Sequence, residues 1–288
     1  MEFFNKYRIR RIGLYITIIA IVFLCLGVSE FFRNTNIWGL DFSREPIKLK
    51  RVEIETYKVD IQSLNEENGY SINQSMMLIN VDNPLPDGYV SEISEYKNTG
   101  VMMNSDIIDS YAILSQAVSK MANDSLYVKS SVRTKEEQEE LYNEDPKTAT
   151  KPGCSEHETG LALDVYVMYH AGEGFLSSDA GKYVNTHCHE YGFIIRYPHY
   201  GEKITGIRFE PWHIRYVGHP HAEIIYNNEL TLEEYIFSLK ENKFYEANGY
   251  IISRQKPIEN KIDLPTEYES LMISADNTGC YIITTKVS

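Results

Sequence analysis

Two short segments of the sequence carry side chains that could hold a metal ion and activate water. The first runs from residue 155 to 164 with the sequence SEHETGLALD, and the second runs from 209 to 213 with the sequence FEPWH. His157, Asp164 and His213 offer two imidazoles and one carboxylate, a ligand set that suits a catalytic zinc with one open position. Glu210 would then be available as the general base that takes a proton from the attacking water.

Taken singly, the same residues also fit ordinary structural roles. A histidine beside a strand usually belongs to the core or the surface, and an aspartate in an apolar strand can serve as a turn partner. Glu210 and His213 would moreover point to opposite faces of a straight strand. Pro211 is compatible with a bend, and a bend there would bring both side chains to one metal. The residues alone therefore leave metal binding and a structural role open.

The elements that must position these residues follow from periodicity and capping signals. Apolar residues at spacings of three and four predict a helix from about 105 to 123. Capping boxes predict two short helices, one from Thr134 through Tyr142 and one after Thr231. A further helix is predicted over 178–191, ended by a glycine. The predicted strands cover 76–81, 126–132, 161–166, 193–197, 206–209, 250–252, 271–274 and 280–285. Because strands and helices do not alternate regularly, the pattern favours an α+β fold, with a mixed and mostly antiparallel sheet flanked by helices.

The charge of the chain is unevenly distributed and argues against a nucleic-acid partner. The 288 residues include 28 Lys and Arg against 41 Asp and Glu, a formal net charge of −13. Residues 1–11 carry four basic side chains and one glutamate, so the rest of the chain has 24 basic and 40 acidic residues. A region as acidic as residues 12–288 lacks the basic face that contacts with phosphate require. Four cysteines in the whole chain also exclude a disulfide scaffold.

An uncharged run near the N-terminus predicts a membrane anchor. Residues 12–29 read IGLYITIIAIVFLCLGVS and would form a helix of roughly 27 Å, close to the thickness of the hydrocarbon core. A cleaved signal peptide is the alternative, but the run exceeds its usual apolar length and no clean small-x-small site follows. The basic residues before the run place the N-terminus in the cytoplasm. We therefore expect a single-pass protein of the cell membrane whose body is extracytoplasmic.

The two chemical segments resemble those of the VanY-type D-alanyl-D-alanine carboxypeptidases, a family of zinc peptidases. That family has a Ser-x-His-x-x-Gly-x-x-x-Asp segment followed by a Glu-x-Trp-His segment, and residues 155–164 and 210–213 match them in the same order. Residues 80–86 and 131–138 are also typical of the group. The resemblance spans about residues 76–240.

The resemblance implies a role for each chemical residue. Zinc would be held by His157, Asp164 and His213. Glu210 would be the catalytic base. Arg133 would face the substrate carbonyl or the negative charge that develops on it, where a fixed cation stabilises the transition state.

Two further residues are implied as substrate contacts. Gln138 and Ser155 would bind the peptide or its terminal carboxylate. A free carboxylate favours cations and hydroxyl donors. Together with Arg133, these two residues form the expected substrate-binding set.

The resemblance also implies the reaction, which is removal of the C-terminal D-Ala from peptidoglycan stem pentapeptides that end in D-Ala-D-Ala. The bond is the one cleaved by serine-type D-Ala-D-Ala carboxypeptidases, but the mechanism would depend on zinc, so β-lactams should not acylate the enzyme. Vancomycin recognises the same D-Ala-D-Ala ends, which links the activity to glycopeptide resistance. Three alternatives stay open: an L,D-carboxypeptidase of tetrapeptide stems, a D,D-dipeptidase, and a non-catalytic cell-wall-binding module. The dipeptidase is disfavoured because known ones act on free dipeptide in the cytoplasm, whereas most of this chain is expected to be exported.

These interpretations divide the chain into five parts. In chain order they are a cytoplasmic tail (1–11), a transmembrane anchor (12–32), a spacer (33–75), the zinc D,D-carboxypeptidase domain (76–240) and a small β-rich C-terminal segment (241–288). Within the spacer, alternation over 48–60 predicts one or two strands. The C-terminal segment lies outside the resemblance, and the sequence suggests no function for it.

Overall fold

The computed structural model of the protein describes residues 44–146 and 149–287. Among these residues, no helix is both long enough and apolar enough to cross a membrane. The predicted cytoplasmic tail, the predicted anchor and the first part of the predicted spacer lie outside the described residues.

Helices and strands follow one another irregularly along the described ranges. The six α-helices there are α1 (Ile108–Ala122), α2 (Lys135–Glu144), α3 (Asp179–His187), α4 (Glu202–Thr205), α5 (His221–Asn227) and α6 (Leu232–Ser238). The fourteen strands there are β1 (Lys50–Val52), β2 (Thr56–Asp60), β3 (Ser71–Asn73), β4 (Ile93–Glu95), β5 (Met102–Asn104), β6 (Tyr127–Ser130), β7 (Ala162–Tyr166), β8 (Phe193–Ile195), β9 (His213–Tyr216), β10 (Lys243–Ala247), β11 (Tyr250–Gln255), β12 (Lys261–Pro265), β13 (Ser270–Ala275) and β14 (Tyr281–Lys286).

A four-stranded antiparallel sheet carries the two chemical segments. Its strand order is β6-β7-β9-β8. Leu163 and Val165 of β7 are buried in the hydrophobic core. Because side chains alternate along a strand, Asp164 between them projects from the other face of the sheet. The strand predicted over 161–166 is therefore confirmed, and it presents its aspartate away from the core.

Helices α1 and α3 supply much of the core that covers this sheet. The buried residues that they share with it are Tyr111, Leu114, Val118, Ala180, Val184, Leu163, Val165 and Ile214. The predicted helix over 105–123 is confirmed as a 3₁₀ turn followed by α1. The helix predicted over 178–191 divides into α3 and a 3₁₀ turn at 188–191, which ends at Gly192 in the left-handed conformation. The capping box at Thr134 is present at the start of α2.

A second sheet joins the two ends of the described chain. Its strand order is β1-β10-β11-β14-β13-β3, and β2 pairs separately with β12. All these pairs are antiparallel except β13 with β3. Strands from the predicted spacer therefore complete the sheet of the C-terminal segment. The whole is a mixed α+β fold with mostly antiparallel sheets, as the sequence predicts.

Two predicted strands are wrong. Residues 76–81 form no strand, because Met76 N–H donates to the hydroxyl of Ser274 (3.0 Å) instead of to a neighbouring backbone. Residues 206–209 also form no strand. They follow α4, which Gly206 ends with a φ of 71°. Met76, Met77, Leu78 and Ile79 are buried without strand pairing, whereas Ile207 and Phe209 are only half-buried. A short apolar run alone does not distinguish such segments from a strand.

Candidate metal centre and active site

The pairing of β7 with β9 brings Asp164 and His213 together. The two residues are direct partners in the antiparallel register, and Asp164 Oδ1 lies 2.9 Å from His213 Nδ1. His157 reaches the same place from the 3₁₀ turn before β7, with its Nε2 3.4 Å from Asp164 Oδ2. The three residues predicted as zinc ligands therefore converge in the structure.

Gly160 allows the chain to pass from the turn that carries His157 into β7. Its φ is 70°, in the left-handed region that favours glycine. A Cβ at this position would lie 2.6 Å from Ile93 Cδ1 and 2.8 Å from the backbone nitrogen of Asn104. The glycine of the first segment is thus required by backbone conformation and by close packing.

The donor atoms of the triad fit a zinc ion. One ligand atom from each of His157, Asp164 and His213 lies within 4.8 Å of the others. Ligands of a tetrahedral zinc lie about 2.0–2.2 Å from the metal and hence roughly 3.3 Å from one another. The two histidines are each 4% exposed, whereas Asp164 is less buried and lines a surface cavity. The triad therefore offers a compact, mainly buried N,N,O set that is accessible from one side.

A backbone carbonyl fixes the orientation of His157. Its Nδ1 lies 2.8 Å from the carbonyl oxygen of Ser131. A carbonyl can only accept a hydrogen bond, so this contact places the proton of the neutral imidazole on Nδ1. Nε2, which faces Asp164, is then left with the lone pair that a metal ligand needs.

Glu210 stands at the edge of the triad, in the turn that leads into β9. The N–H of His213 donates to the Glu210 carbonyl (3.1 Å), and Glu210 Oε2 lies 4.0 Å from His213 Nδ1. The bend expected at Pro211 is therefore confirmed. Burial raises the pKa of Glu210, and the nearby Asp164 carboxylate contributes to the rise although His213 opposes it. A carboxylate with a raised pKa beside a metal site suits general-base catalysis.

Burial and neighbouring charges set the protonation of the triad. Burial raises the pKa of Asp164, but contacts with His157 and His213 outweigh it and hold this pKa well below its usual range. Burial lowers the pKa of His157 more than the adjacent Asp164 raises it. Burial also lowers the pKa of His213, yet the carboxylates of Asp164 and Glu156 raise it to about 9.

Arg133 lies beside the triad, and Gln138 holds the Arg133 guanidinium through a hydrogen bond. The Arg133 N–H donates to the His157 carbonyl (3.2 Å), while its guanidinium donates to Gln138 Oε1 (2.7 Å) and Ser130 Oγ (2.7 Å). Gln138 is fully buried, and its amide nitrogen donates to the Thr150 carbonyl (2.7 Å). Both polar ends of Gln138 are thus engaged inside the protein. The structure shows Gln138 as a hydrogen-bond partner of Arg133, and its predicted contact with the substrate stays a prediction.

A cleft of about 510 Å³ opens beside Glu210 and is large enough for a peptide terminus. Residues that line it include Tyr142, Lys151, Cys154, Tyr197, Arg208 and Glu210. Ser155 follows in the chain but is buried, and its hydroxyl makes no capping hydrogen bond to the turn that carries His157. Its contact with the substrate stays a prediction.

Four buried charged residues behind the triad were missed by the sequence analysis. Glu156 Oε1 accepts hydrogen bonds from Arg196 Nε (2.7 Å) and Arg215 Nη1 (2.9 Å). Arg196 also donates to both oxygens of Glu233, at 2.9 and 2.6 Å. Burial opposes ionisation of Glu156, but the two guanidinium groups outweigh it and hold its pKa well below the usual range. In the sequence, Arg196 and Arg215 each stand alone in an apolar strand segment. Because a buried charge requires a partner, such an arginine indicates a buried ion pair.

Comparison with known proteins points to one family. The family model described as VanY, D-alanyl-D-alanine carboxypeptidase, matches residues 100–219. A D-alanyl-D-alanine carboxypeptidase of Enterococcus faecium is 31% identical over 283 residues, which cover 85% of this chain and 91% of the relative.

Two solved structures extend this similarity to the fold. The vancomycin-resistance D,D-dipeptidase VanXYg, in complex with a D-Ala-D-Ala phosphinate analogue, has a TM-score of 0.65 and 26% identity, covering 82% of this chain and 100% of its own. A point mutant of the vancomycin-resistance D,D-pentapeptidase VanY, in complex with Zn(II), has a TM-score of 0.51 and 31% identity, covering 56% of this chain and 98% of its own. The sequence match over nearly the whole length of a relative, the family model and these folds agree, and the chain belongs to the VanY family of D-alanyl-D-alanine carboxypeptidases.

Proposed function

We propose that this chain is a zinc-dependent D-alanyl-D-alanine carboxypeptidase that removes the C-terminal D-Ala from peptidoglycan stem pentapeptides. The observation that carries the proposal is the convergence of His157, Asp164 and His213 within 4.8 Å, with Glu210 4.0 Å from His213 Nδ1. The Zn(II) complex of the related VanY and the D-Ala-D-Ala analogue bound to VanXYg support the metal and the substrate class.

The triad would hold zinc through the two imidazoles and the carboxylate. When bound there, zinc supplies Lewis-acid activation of water and of the scissile carbonyl. Glu210 takes a proton from the attacking water and returns it to the leaving amine of D-Ala. Its pKa is raised by burial, which brings it closer to the value at which a carboxylate both accepts and returns a proton near neutral pH.

Arg133 would stabilise the charge that develops on the substrate carbonyl. Its guanidinium is already held by Gln138 and Ser130, each at 2.7 Å, so little reorganisation is needed during the reaction. A planar guanidinium donates through several N–H groups, which leaves donors for the substrate beside these two contacts.

The cleft beside Glu210 suits a peptide end that carries a free carboxylate. Lys151 and Arg208 both line it, and charged donors bind carboxylates strongly. Arg208 is also paired with Glu173 at 2.6 Å, and this pair forms part of the wall of the neighbouring cavity that reaches Asp164. A stem peptide would therefore lie with its terminal residue in the cleft and its scissile bond at the triad.

Stem peptides of the assembled wall lie outside the cytoplasm, which supports an extracytoplasmic site for the proposed reaction. We accordingly retain the proposal that residues 12–32, which lie outside the described residues, anchor the chain in the cell membrane. The support is the uncharged run of residues 12–29 after a basic cluster. Removal of the terminal D-Ala there would destroy the D-Ala-D-Ala ends to which vancomycin binds, and this would connect the activity to glycopeptide resistance.

Mass spectrometry of stem peptides incubated with the purified full-length chain tests the proposal. A pentapeptide ending in D-Ala-D-Ala should lose one alanine, and a tetrapeptide should stay intact. Penicillin should leave the reaction unchanged, whereas a chelator should abolish it and added zinc should restore it. Cleavage of the tetrapeptide instead would identify an L,D-carboxypeptidase. Binding of peptidoglycan without any change of mass would identify a wall-binding module.

A further inference from the structure

Behind the metal-ligand triad, two buried polar atoms face each other. Nε2 of His213 and Oε2 of Glu156 are 3.7 Å apart. Neither atom has a hydrogen-bond partner among the described residues, although both side chains are almost completely buried. An unsatisfied polar atom in the interior costs free energy, so two such atoms that point at each other call for an explanation.

The other nitrogen of His213 supplies the first part of that explanation. Nδ1 is the ring nitrogen that faces Asp164 Oδ1 at 2.9 Å and Glu210 Oε2 at 4.0 Å. If Nδ1 is the metal ligand, it carries a lone pair, and the proton of the neutral ring must be on Nε2. That N–H then points at Glu156 Oε2, and a small shift would close the 3.7 Å gap to a hydrogen bond.

The second part is the rigidity with which Glu156 is held. Its other oxygen accepts from Arg196 (2.7 Å) and Arg215 (2.9 Å). Arg215 Nη2 donates in addition to the carbonyls of Ser75 (2.9 Å) and Met77 (3.0 Å). The two hydrogen bonds occupy both lone pairs of Oε1 and prevent the carboxylate from turning. Oε2 is thereby left directed at His213.

From this geometry we propose that Glu156 is a positioning residue for the metal centre. Oε2 of Glu156 accepts the Nε2 proton of His213, which fixes the tautomer and the ring orientation that present Nδ1 to the metal. The inference rests on the proposed function, because it takes His157, Asp164 and His213 to be the zinc ligands. Histidine ligands in metalloproteins are commonly oriented by a carboxylate in this way, and loss of such a partner costs about 10- to 100-fold in metal affinity.

The substitution Glu156→Gln tests the role, with Glu233→Gln as its matched control. In Glu156→Gln the amide oxygen can still accept from the two arginines, but the amide NH₂ then faces His213 Nε2. Two donors cannot pair, so the imidazole proton is driven towards Nδ1, the atom that the metal needs. Glu233 belongs to the same buried network through Arg196, at 2.6 and 2.9 Å, but within the described part of the chain no ion pair joins it to a metal ligand.

Zinc affinity of the full-length chain, measured by competition with a chromophoric chelator, gives the first readout. Glu156→Gln should bind zinc about 10- to 100-fold more weakly than the wild type, and Glu233→Gln should stay within about twofold of it. Equal zinc affinity of Glu156→Gln and the wild type would overturn the proposal, and so would an equal loss in both variants, which would indicate a general effect of the buried network.

Nuclear magnetic resonance of the zinc-loaded wild type gives the second readout and does not depend on whether a Glu156 variant folds. The ¹⁵N-edited spectrum of the His213 ring, assigned by its loss in His213→Asn, should show a proton on Nε2 and none on Nδ1. A proton on Nδ1, or metal binding through Nε2, would overturn the proposal while leaving a zinc site in place. A wild type that binds no zinc at the triad would instead overturn the proposed function as well.

Discussion

Asp164 and His213 lie directly opposite each other across β7 and β9, with Oδ1 and Nδ1 2.9 Å apart. Because this pairing is part of the sheet register, the two side chains are held in place by backbone hydrogen bonds before any metal binds. A shift of one residue would turn Asp164 towards the core and destroy both the packing and the site. Stability of the sheet and geometry of the metal centre therefore depend on the same register.

Replacement of Glu210 by glutamine should separate catalysis from metal binding. The amide keeps the size of the side chain but cannot accept a proton at neutral pH, so kcat should fall by about 10²- to 10⁴-fold. Zinc content and substrate binding should stay close to those of the wild type. Steady-state kinetics together with metal analysis would check this, with Glu139→Gln, an exposed position on α2, as the control. Release of zinc by Glu210→Gln would show that Glu210 is a ligand.

Arg133 and Gln138 should act as a unit. Arg133→Ala should lower kcat/KM by about 10²- to 10³-fold, the usual effect of removing one donor to a developing oxyanion, while zinc is retained. Gln138→Ala should lower it less, because this residue braces Arg133 through a 2.7 Å hydrogen bond. The double variant should then be no worse than Arg133→Ala alone. Additive losses in this double-mutant cycle would mean that Gln138 contacts the substrate directly.

His221 should make the folded state sensitive to acid. It is fully buried between Tyr235 Oη (2.7 Å) and Thr284 Oγ1 (2.8 Å), and burial lowers its pKa from 6.5 to about 3. Below pH 6.5 the unfolded chain binds a proton that the folded chain does not, so the free energy of unfolding decreases as the pH falls towards 3. Between pH 7 and pH 5 this group alone should remove about 2 kcal/mol.

Urea unfolding of the wild type and of His221→Gln at these two pH values measures that contribution. The variant should be less stable at pH 7, because it loses buried hydrogen bonds, but its stability should change less between the two pH values. An identical change in both proteins would assign the acid sensitivity to other groups.

The membrane anchor proposed for residues 12–32 predicts a defined topology. Protease added to intact protoplasts should digest the body of the protein and leave a protected fragment that contains the first residues. N-terminal sequencing of the mature protein should return the start of the chain. A mature N-terminus near residue 30 would instead establish a cleaved signal peptide.

The chemical residues were predictable because they lie in two compact segments. His157 and Asp164 share one segment, and Glu210 and His213 share the other, so a metal-binding hypothesis needed only that the segments meet. Local signals likewise predicted α1, the capped start of α2 and β7. The register that brings Asp164 opposite His213 was not predictable, because it depends on pairing between distant strands.

The buried ion pairs that Glu156 and Glu233 form with Arg196 and Arg215 could not be predicted for the same reason. Glu156 is 40 residues from Arg196 and 59 residues from Arg215 in the chain. The second sheet shows this limit still more clearly, since Met272 of β13 pairs with Ser71 of β3 from the opposite end of the described chain. The resemblance implies that Gln138 contacts the substrate, and the structure adds its hydrogen bond with Arg133 (2.7 Å), which the sequence does not show.

The zinc content of the purified protein tests the central claim most directly. If His157, Asp164 and His213 form the metal centre, the wild type should hold about one zinc ion per chain, as a three-ligand catalytic site does. His213→Ala should lose that zinc and, with it, the release of D-Ala, while far-ultraviolet circular dichroism shows that the fold is kept. Retention of one zinc ion by His213→Ala would contradict the account.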